Sequence, residues 1–505
     1  MSSPQSLHNG TSMRHSMISR IVPLLAVALV ATSCDSGLTG LNENPNAPGR
    51  VTPQYLFPNG VTSAVGRVRG GGFDLTFTSL WAQHIAMDRF TDEDRYSIRP
   101  GTIDGNWSGF YSGELEDFAT IIQQTDPAEA PNLVGPALVM KSWTYGVMTD
   151  IWGDIPYDEA NQGTANFTPK YDRQQDVYNG LFTDLTAASN MLTAGGAGYG
   201  SADPIYSGDA TKWQRFANSL RLRFALRLIK VDAEKARSEA TAAIAAGVFT
   251  SNADNALLHW PGDGTNDNPF FNTFRTRDDQ HVSQTLVDTL KALYISIEPG
   301  NDTIFDPRLA VYADPIISAL PNIVYVGAPN GLQDDDAIAI GLTNTSRVGA
   351  VYRQRDTPSI LMTYSEVLFD EAEAAARGWT AGDAAALYND AIRASMQYNG
   401  IADDVIDAYV ASPRVAYNAA TGLTQIALQK WIALYAQGAD AYAEYRRSGV
   451  PNLQPGPAVI TDPAIVARRL TYPLAEQSFN NTNLQAAISA QGGASLNDRV
   501  WWDVP

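Results

Sequence analysis

Apolar residues recur at spacings of three and four along most of this chain, a period that suits packed helices and leaves little room for strands. Trp107-Tyr111-Leu115-Phe118-Ile122 is one such run. Ala137-Met140-Trp143-Val147 and Trp213-Phe216-Ala217-Leu220-Phe224-Leu228 repeat it. Leu361-Tyr364-Val367-Leu368-Ala372-Ala375 leads to Gly378, a residue suited to a left-handed helix stop. Asp176 to Leu192, Ala233 to Ala246 and Ala427-Trp431-Leu434 add further helices, and Gly449-Val450-Pro451 ends the one carrying Tyr442 and Arg446. Strand signals are confined to Ile323–Val326 and Ala337–Ile340. The expected class is mainly α with little β. Long polar segments rich in Gly, Asn, Asp and Pro separate the helices, at residues 88–106, 193–212, 259–280, 298–308, 327–358 and 450–463. Loops of that length inside a folded unit usually carry function.

The chain has 505 residues, long enough for a large core, and is 44% hydrophobic but only 18% charged, which excludes disordered and coiled-coil classes. Its net charge of −19 argues against a nucleic-acid partner, since phosphate neutralisation needs a basic face. Cys34 is the only cysteine, so no intrachain disulfide forms. Beyond His8 and His15 the histidines are His84, His259 and His281, far apart and without zinc-site spacing. There is no G-x-S-x-G elbow and no phosphate-binding Walker loop. No cofactor, metal or catalytic residue is expected.

The N-terminus reads as an export signal. Arg14 and Arg20 precede the apolar run Ile21 to Ala31, which is too short to span a bilayer. Thr32 and Ser33 lead into Cys34, and the whole resembles a bacterial lipobox, with Ala31 where Leu is usual. The resemblance implies a signal peptide at 1–33 and lipidation at Cys34, the lipid being the sole membrane anchor. Met1, Met13 and Met17 all remain possible starts. A Gly-, Asn- and Pro-rich tether at 34–52 follows, and a single domain at 53–505 is expected.

Several polar motifs carry competing readings. Asp150-Ile151-Trp152-Gly153-Asp154-Ile155-Pro156-Tyr157 reads as a chain reversal, with two aspartates accepting backbone N–H bonds, before it reads as a catalytic or calcium site. Arg215, Arg221, Arg223 and Arg227 crowd one helix; pairing with carboxylates such as Glu366, Asp370 and Glu373 is preferred over an anion clamp. Asp263-Gly264-Thr265-Asn266-Asp267 lacks the terminal glutamate of a calcium loop, and a structural calcium there is left open.

Nine segments in order resemble the SusD/RagB family of outer-membrane nutrient-binding lipoproteins, in the branch with an Asn-Pro-Asn start. They are L-N-E-N-P-N-A-P (41–48), M-T-D-I-W-G-D-I-P-Y-D-E-A (148–160), W-Q-R-F-A-N-S-L-R-L-R-F-A-L-R (213–227), D-P-R-L (306–309), L-M-T-Y-S-E-V-L-F-D-E-A-E-A-A-A-R-G-W (361–379), Q-K-W-I-A-L-Y-A-Q-G (429–438), Y-R-R-S-G-V-P (445–451), R-R-L-T-Y-P-L-A-E-Q (468–477) and R-V-W-W-D (499–503). The resemblance implies four helical hairpins of tetratricopeptide type, an α-α superhelix, plus irregular insertions that carry the ligand site. It also implies a SusC-type TonB-dependent outer-membrane barrel as partner, with this subunit as its lid on the cell exterior, and an oligosaccharide or oligopeptide as ligand.

Sugar faces stack on aromatic rings, so the aromatics outside the helical runs are the candidates. Trp81, Trp143, Trp213 and Trp431 fall at core spacing, Trp379 is expected to pack back on its own helix, and Trp501 and Trp502 to dock the C-terminal segment. That leaves Phe90, Tyr96, Trp107, Trp260, Phe270 and Phe271, beside the hydrogen-bonding groups Arg89, Arg95, Arg99, Asn106, Asn266, Asn268 and Asn272. The ligand set expected is Arg89, Phe90, Tyr96, Trp107, Trp260, Asn268 and Phe270. The function expected is non-catalytic capture of an oligomeric nutrient, a glycan before a peptide, for delivery to the barrel. A secreted glycoside hydrolase, a peptide-binding RagB-like role and a helical scaffold that binds only protein are the alternatives.

Overall fold

Helix after helix begins where the sequence supplies a start signal. In the computed structural model, which describes residues 51–192, 195–296, 303–318 and 322–505, α1 spans Pro53–Val68 and a π-turn at Asp74–Thr78 leads into the short α2 (Ser79–Trp81). After β1 (Ile85–Met87) come α3 (Pro100–Ser112), α4 (Glu114–Gln124) and α5 (Pro131–Trp152). Both α3 and α5 have proline in the first turn, where its missing N–H costs nothing. Next are α6 (Gln174–Met191), α7 (Ala210–Arg227) and α8 (Ala233–Ala246), the last two capped by the Asp209 and Asp232 carboxylates. The irregular middle holds β2 (Ala256–Leu258), α9 (Pro269–Phe274), β3 (Gln280–Val282), α10 (Gln284–Ala292), β4 (Ile295–Ser296), β5 (Thr303–Ile304), α11 (Leu309–Tyr312), α12 (Asp334–Ile340) and β6 (Ser359–Met362). The last part is helical again, with α13 (Tyr364–Ala376), α14 (Ala384–Tyr398), α15 (Asp403–Val410), α16 (Gly422–Ala433), α17 (Gly438–Ser448), α18 (Leu474–Phe479) and α19 (Asn481–Gln491).

Helices α5 with α6, α7 with α8, α13 with α14 and α16 with α17 pack as neighbours, the tetratricopeptide-like hairpins of a mainly α fold. The strands form three two-stranded antiparallel pairs, β1–β3, β2–β6 and β4–β5. Two strand expectations are corrected. Ala337–Ile340 is the end of α12, whose first turn holds Asp334, Asp335 and Asp336, three acids favoured at a helix N-terminus. Ile323–Val326 makes only an isolated bridge from Val324 to Ile317. The helical run from Leu361 also starts later than its apolar spacing suggests: Leu361 and Met362 belong to β6, and Thr363 caps α13. The signal peptide, Cys34 and all but the last two residues of the tether lie outside the described residues.

Residues Pro53–Pro505 form one unit. Trp81, Trp143, Trp152, Trp213, Trp431 and Trp502 are all fully buried in or against its main core, and a smaller core gathers Phe369, Tyr388, Ile392 and Tyr409. Trp502 docks the C-terminal segment by donating its Nε1–H to Asp150 Oδ1 at 2.8 Å. Gly153 has φ +78°, the reversal expected after α5, and Asp154 Oδ1 accepts the Gln174 N–H at 2.8 Å. Asp150 instead accepts from side chains, those of Trp502 and Tyr178.

A buried chain of charges ties these helices together. Arg69 joins Asp74 and Asp440 at 3.0 and 2.5 Å, and Arg223 joins Glu366 and Asp440 at 2.6 and 3.0 Å. Arg227 faces Asp150 at 3.4 Å and Glu444 at 3.8 Å. Lys430 bridges Asp370 and Glu444 at 2.5 and 3.0 Å, and Arg447 joins Glu373 and Glu444 at 2.6 and 2.5 Å. The arginines of α7 are thus structural: Arg223 meets Glu366, while Arg215 and Arg221 pair with Asp254 and Glu239. Asp370 and Glu373 take Lys430 and Arg447 rather than α7. Burial raises Asp370 to about 6 against the pull of Lys430, so not every carboxylate of the chain is held firmly ionised.

Candidate functional site, a cleft beside Phe90

Backbone strain marks the site. Six non-glycine residues have positive φ among those described, and three of them, Gln83 (+55°), Phe90 (+55°) and Tyr96 (+69°), fall in one short segment. Such conformations persist only where the surroundings over-determine them, and they gather at functional sites. The segment is anchored by β1, whose Ala86 and Met87 pair with His281 and Gln280 of β3. The buried Asp94 carboxylate accepts the N–H groups of Met87 and Gly331, at 3.1 and 3.0 Å, and a bond from Asn330 Nδ2. Its burial pushes Asp94 up to about 6.

Between this segment, the end of α9 and the approach to β3 lies a cleft of about 190 Å³, lined by Gly71, Thr76, Met87, Phe90, Glu93, Arg99, Thr273, Arg277, Asp279 and Gln280 among others. Gly71 lets one wall approach closely, since a Cβ there would sit 2.4 Å from Thr273 Oγ1 and make that hydroxyl turn away. At the mouth, Phe90 is 57% exposed, and the Arg277 guanidinium lies 5.1 Å from its ring centre. Arg277 also pairs with Asp279, and the exposed Arg99 with the buried Glu93 at 2.6 Å. The cleft therefore offers an apolar ring flanked by guanidinium and carboxylate groups in near balance. That combination suits a neutral ligand with apolar C–H faces and many hydroxyls.

The seven expected ligand residues do not converge. Phe90 lines the cleft, and Arg89 is its half-buried neighbour in sequence. Tyr96 is buried edge-on against Trp81, 5.8 Å between ring centres. Trp107 lies inside α3, edge-to-face with Trp152 at 5.3 Å and packed beside Tyr171. Asn268 caps α9, its Oδ1 accepting the N–H of Phe270 and Phe271 at 2.7 and 3.2 Å while its Nδ2 donates to Thr357 O at 2.7 Å. Phe270 is buried with Phe274 one turn on. As placed, these four side chains are buried among their own neighbours and offer no open face to the cleft. Trp260 is half-buried over Gly66 and donates to Ser359 Oγ at 2.9 Å, away from the cleft lining. Arg277, Asp279 and Glu93, which the sequence reading passed over, are at the cleft instead. The strain at Phe90 that marks them is not a sequence signal.

Behind the cleft, on the other side of the β1–β3 ladder, His281 Nε2 faces Asp88 Oδ2, and His281 Nδ1 lies 2.7 Å from Thr345 Oγ1. Among the described residues no group of three or more histidine, cysteine or acidic side chains is placed to hold a metal ion. Asp263 Oδ1 accepts the N–H groups of Thr265 and Asn266, both at 2.8 Å, which makes its loop a hydrogen-bonded turn.

A family model described as SusD-like, starch-binding and associating with the outer membrane matches residues 45–473. The chain belongs to the SusD-like family. Among solved structures, this SusD-like chain is similar to a chitin-binding protein at 31% identity and a TM-score of 0.77, over 90% of this chain and 100% of that one. It is similar to a chitin-binding SusD homolog from Flavobacterium johnsoniae at 25% identity and 0.76, over 90% and 97% of the two chains. A SusD homolog from Bacteroides thetaiotaomicron matches at 25% identity and 0.75, over 90% and 99%. No curated protein matches. The family description associates the SusD-like chain with the outer membrane, and no helix among the described residues is long and apolar enough to cross one.

Proposed function

We propose that this protein is a cell-surface lipoprotein that captures an oligosaccharide in the Phe90 cleft and passes it to a SusC-type TonB-dependent barrel, which it covers as a lid. It does no covalent chemistry. Residues 1–33 direct export, Cys34 carries the lipid, 34–52 form the tether and 53–505 the binding domain. The observation that carries the reading is the solvent-exposed Phe90 ring held in a strained backbone at the mouth of a charge-balanced cleft. It is supported by the family's starch-binding description and by the chitin-binding relatives.

Titration calorimetry with chitohexaose, maltohexaose and a mixed peptide pool tests the ligand. Saturable binding of one sugar series, weakened about tenfold by Phe90→Ala, is expected. Peptide binding with no response to either sugar overturns it, as does release of reducing ends from the sugars. Mass spectrometry of the chain from its native membrane is expected to find acylated Cys34, and copurification from that membrane to bring down a barrel.

A further inference from the structure

Phe90 is held from a distant part of the chain. The Asp334 Oδ1 atom, at the first position of α12, accepts the Phe90 N–H at 2.5 Å and the Thr91 N–H at 3.3 Å. Asp334 makes no capping bond to its own helix; the residue before α12 is Gln333, whose side chain does not cap either. One carboxylate oxygen thus fixes two consecutive amides on either side of a left-handed phenylalanine.

The outcome of that restraint is unusual. A phenylalanine free to relax would leave the positive-φ region and bury its ring. Here the backbone is held so that the ring stays more than half exposed at the cleft mouth. Beyond its contact with the Arg277 guanidinium, an apolar ring held in water gains the fold little, so the restraint is best explained by what the ring meets from solvent. The opposite wall is fixed separately, by Arg277 through its pairing with Asp279. Ring and guanidinium therefore reach their spacing by two independent anchors.

We infer that Asp334 is a positioning residue for the ligand platform: by clamping the Phe90 and Thr91 amides it presents the Phe90 ring to a sugar face, although it does not line the cleft itself. This rests on the proposed use of the Phe90 cleft. It makes α12, far away in sequence, part of the binding apparatus.

Two readouts on the full-length domain test it. The first is calorimetry with whichever of chitohexaose or maltohexaose binds the unaltered protein. Asp334→Ala is expected to raise Kd about tenfold, and Asp334→Asn, which keeps an acceptor oxygen, to stay within about twofold. The Phe90→Ala/Asp334→Ala double variant is expected to bind no worse than Phe90→Ala alone. The second needs no ligand: 4-fluorophenylalanine at position 90 is expected to give one sharp ¹⁹F line, split or broadened by Asp334→Ala and restored by Asp334→Asn. An unchanged line in Asp334→Ala overturns the inference, as does unchanged affinity in that variant while Phe90→Ala loses binding. Unchanged affinity in Phe90→Ala overturns instead the use of the cleft.

Discussion

His281 Nε2, on β3, and Asp88 Oδ2, just past the end of β1, face each other at 3.3 Å, both side chains buried. Burial raises Asp88 to about 7, helped by repulsion from Asp278 and Asp279 and opposed by Arg89. Burial likewise holds His281 below its ordinary value, with Asp278 pulling the other way and Arg347 and Arg353 adding to the depression. The two buried groups thus face each other with opposite shifts, the carboxyl raised and the imidazole lowered.

A pH dependence follows with a definite sign. The folded-state Asp88 value lies above the unfolded one, so this group favours the fold fully below about pH 4, and the contribution is lost as pH rises through about 7. Thermal melting between about pH 5 and 8 is expected to fall with rising pH, and Asp88→Asn to flatten that slope. An identical slope in the variant would falsify the assignment.

The α7 arginines give the second expectation. Arg223→Ala leaves Glu366 and Asp440 buried without their shared cation, at a cost of about 3–5 kcal/mol in denaturant unfolding. Arg223→Lys is expected to recover little, since Arg223 contacts Glu366 through two nitrogens, each at 2.6 Å.

Two aromatic variants should separate platform from core. Trp107→Ala is expected to cost about 3–5 kcal/mol of stability while leaving sugar affinity intact in the folded protein. Phe90→Ala is expected to change stability by less than about 0.5 kcal/mol and to weaken binding. Parallel unfolding and calorimetry of both variants check the contrast.

Gly438 opens α17 against the segment before β1, where an added Cβ would meet Ser79 Oγ at 2.3 Å and Ser79 N at 2.7 Å. Gly438→Ala is expected to destabilise by about 1–3 kcal/mol, read from the denaturation midpoint.

The helical frame was legible because its signals are local. Ala233 to Ala246 matches α8 end to end, and Gly378 and Gly449 sit at φ +71° and +76° beyond their helices. Ala337–Ile340 misled because its short unbroken apolar run outweighed three aspartates that announce a helix start. The site was less legible. Asn268 before Pro269 carries a capping signature, and Trp107 stands at helical spacing from Tyr111, so both had local evidence of a structural role. Tyr96 had none, its burial depending on Trp81, whereas Phe270 stands four residues before Phe274 in the same short helix, a local spacing that marks it as packed. The link from Phe90 to Asp334 spans a separation at which spacing carries no information.

The charged chain running from Asp74 through Arg69, Asp440 and Arg223 to Glu366 lies where mobile counterions do not reach. Dissolved ions loosen exposed attractions such as that between Arg277 and Asp279, but hardly touch the interior one. In brine and in dilute buffer the helices therefore keep the same lashings, and ionic strength acts on the cleft while the frame stays put.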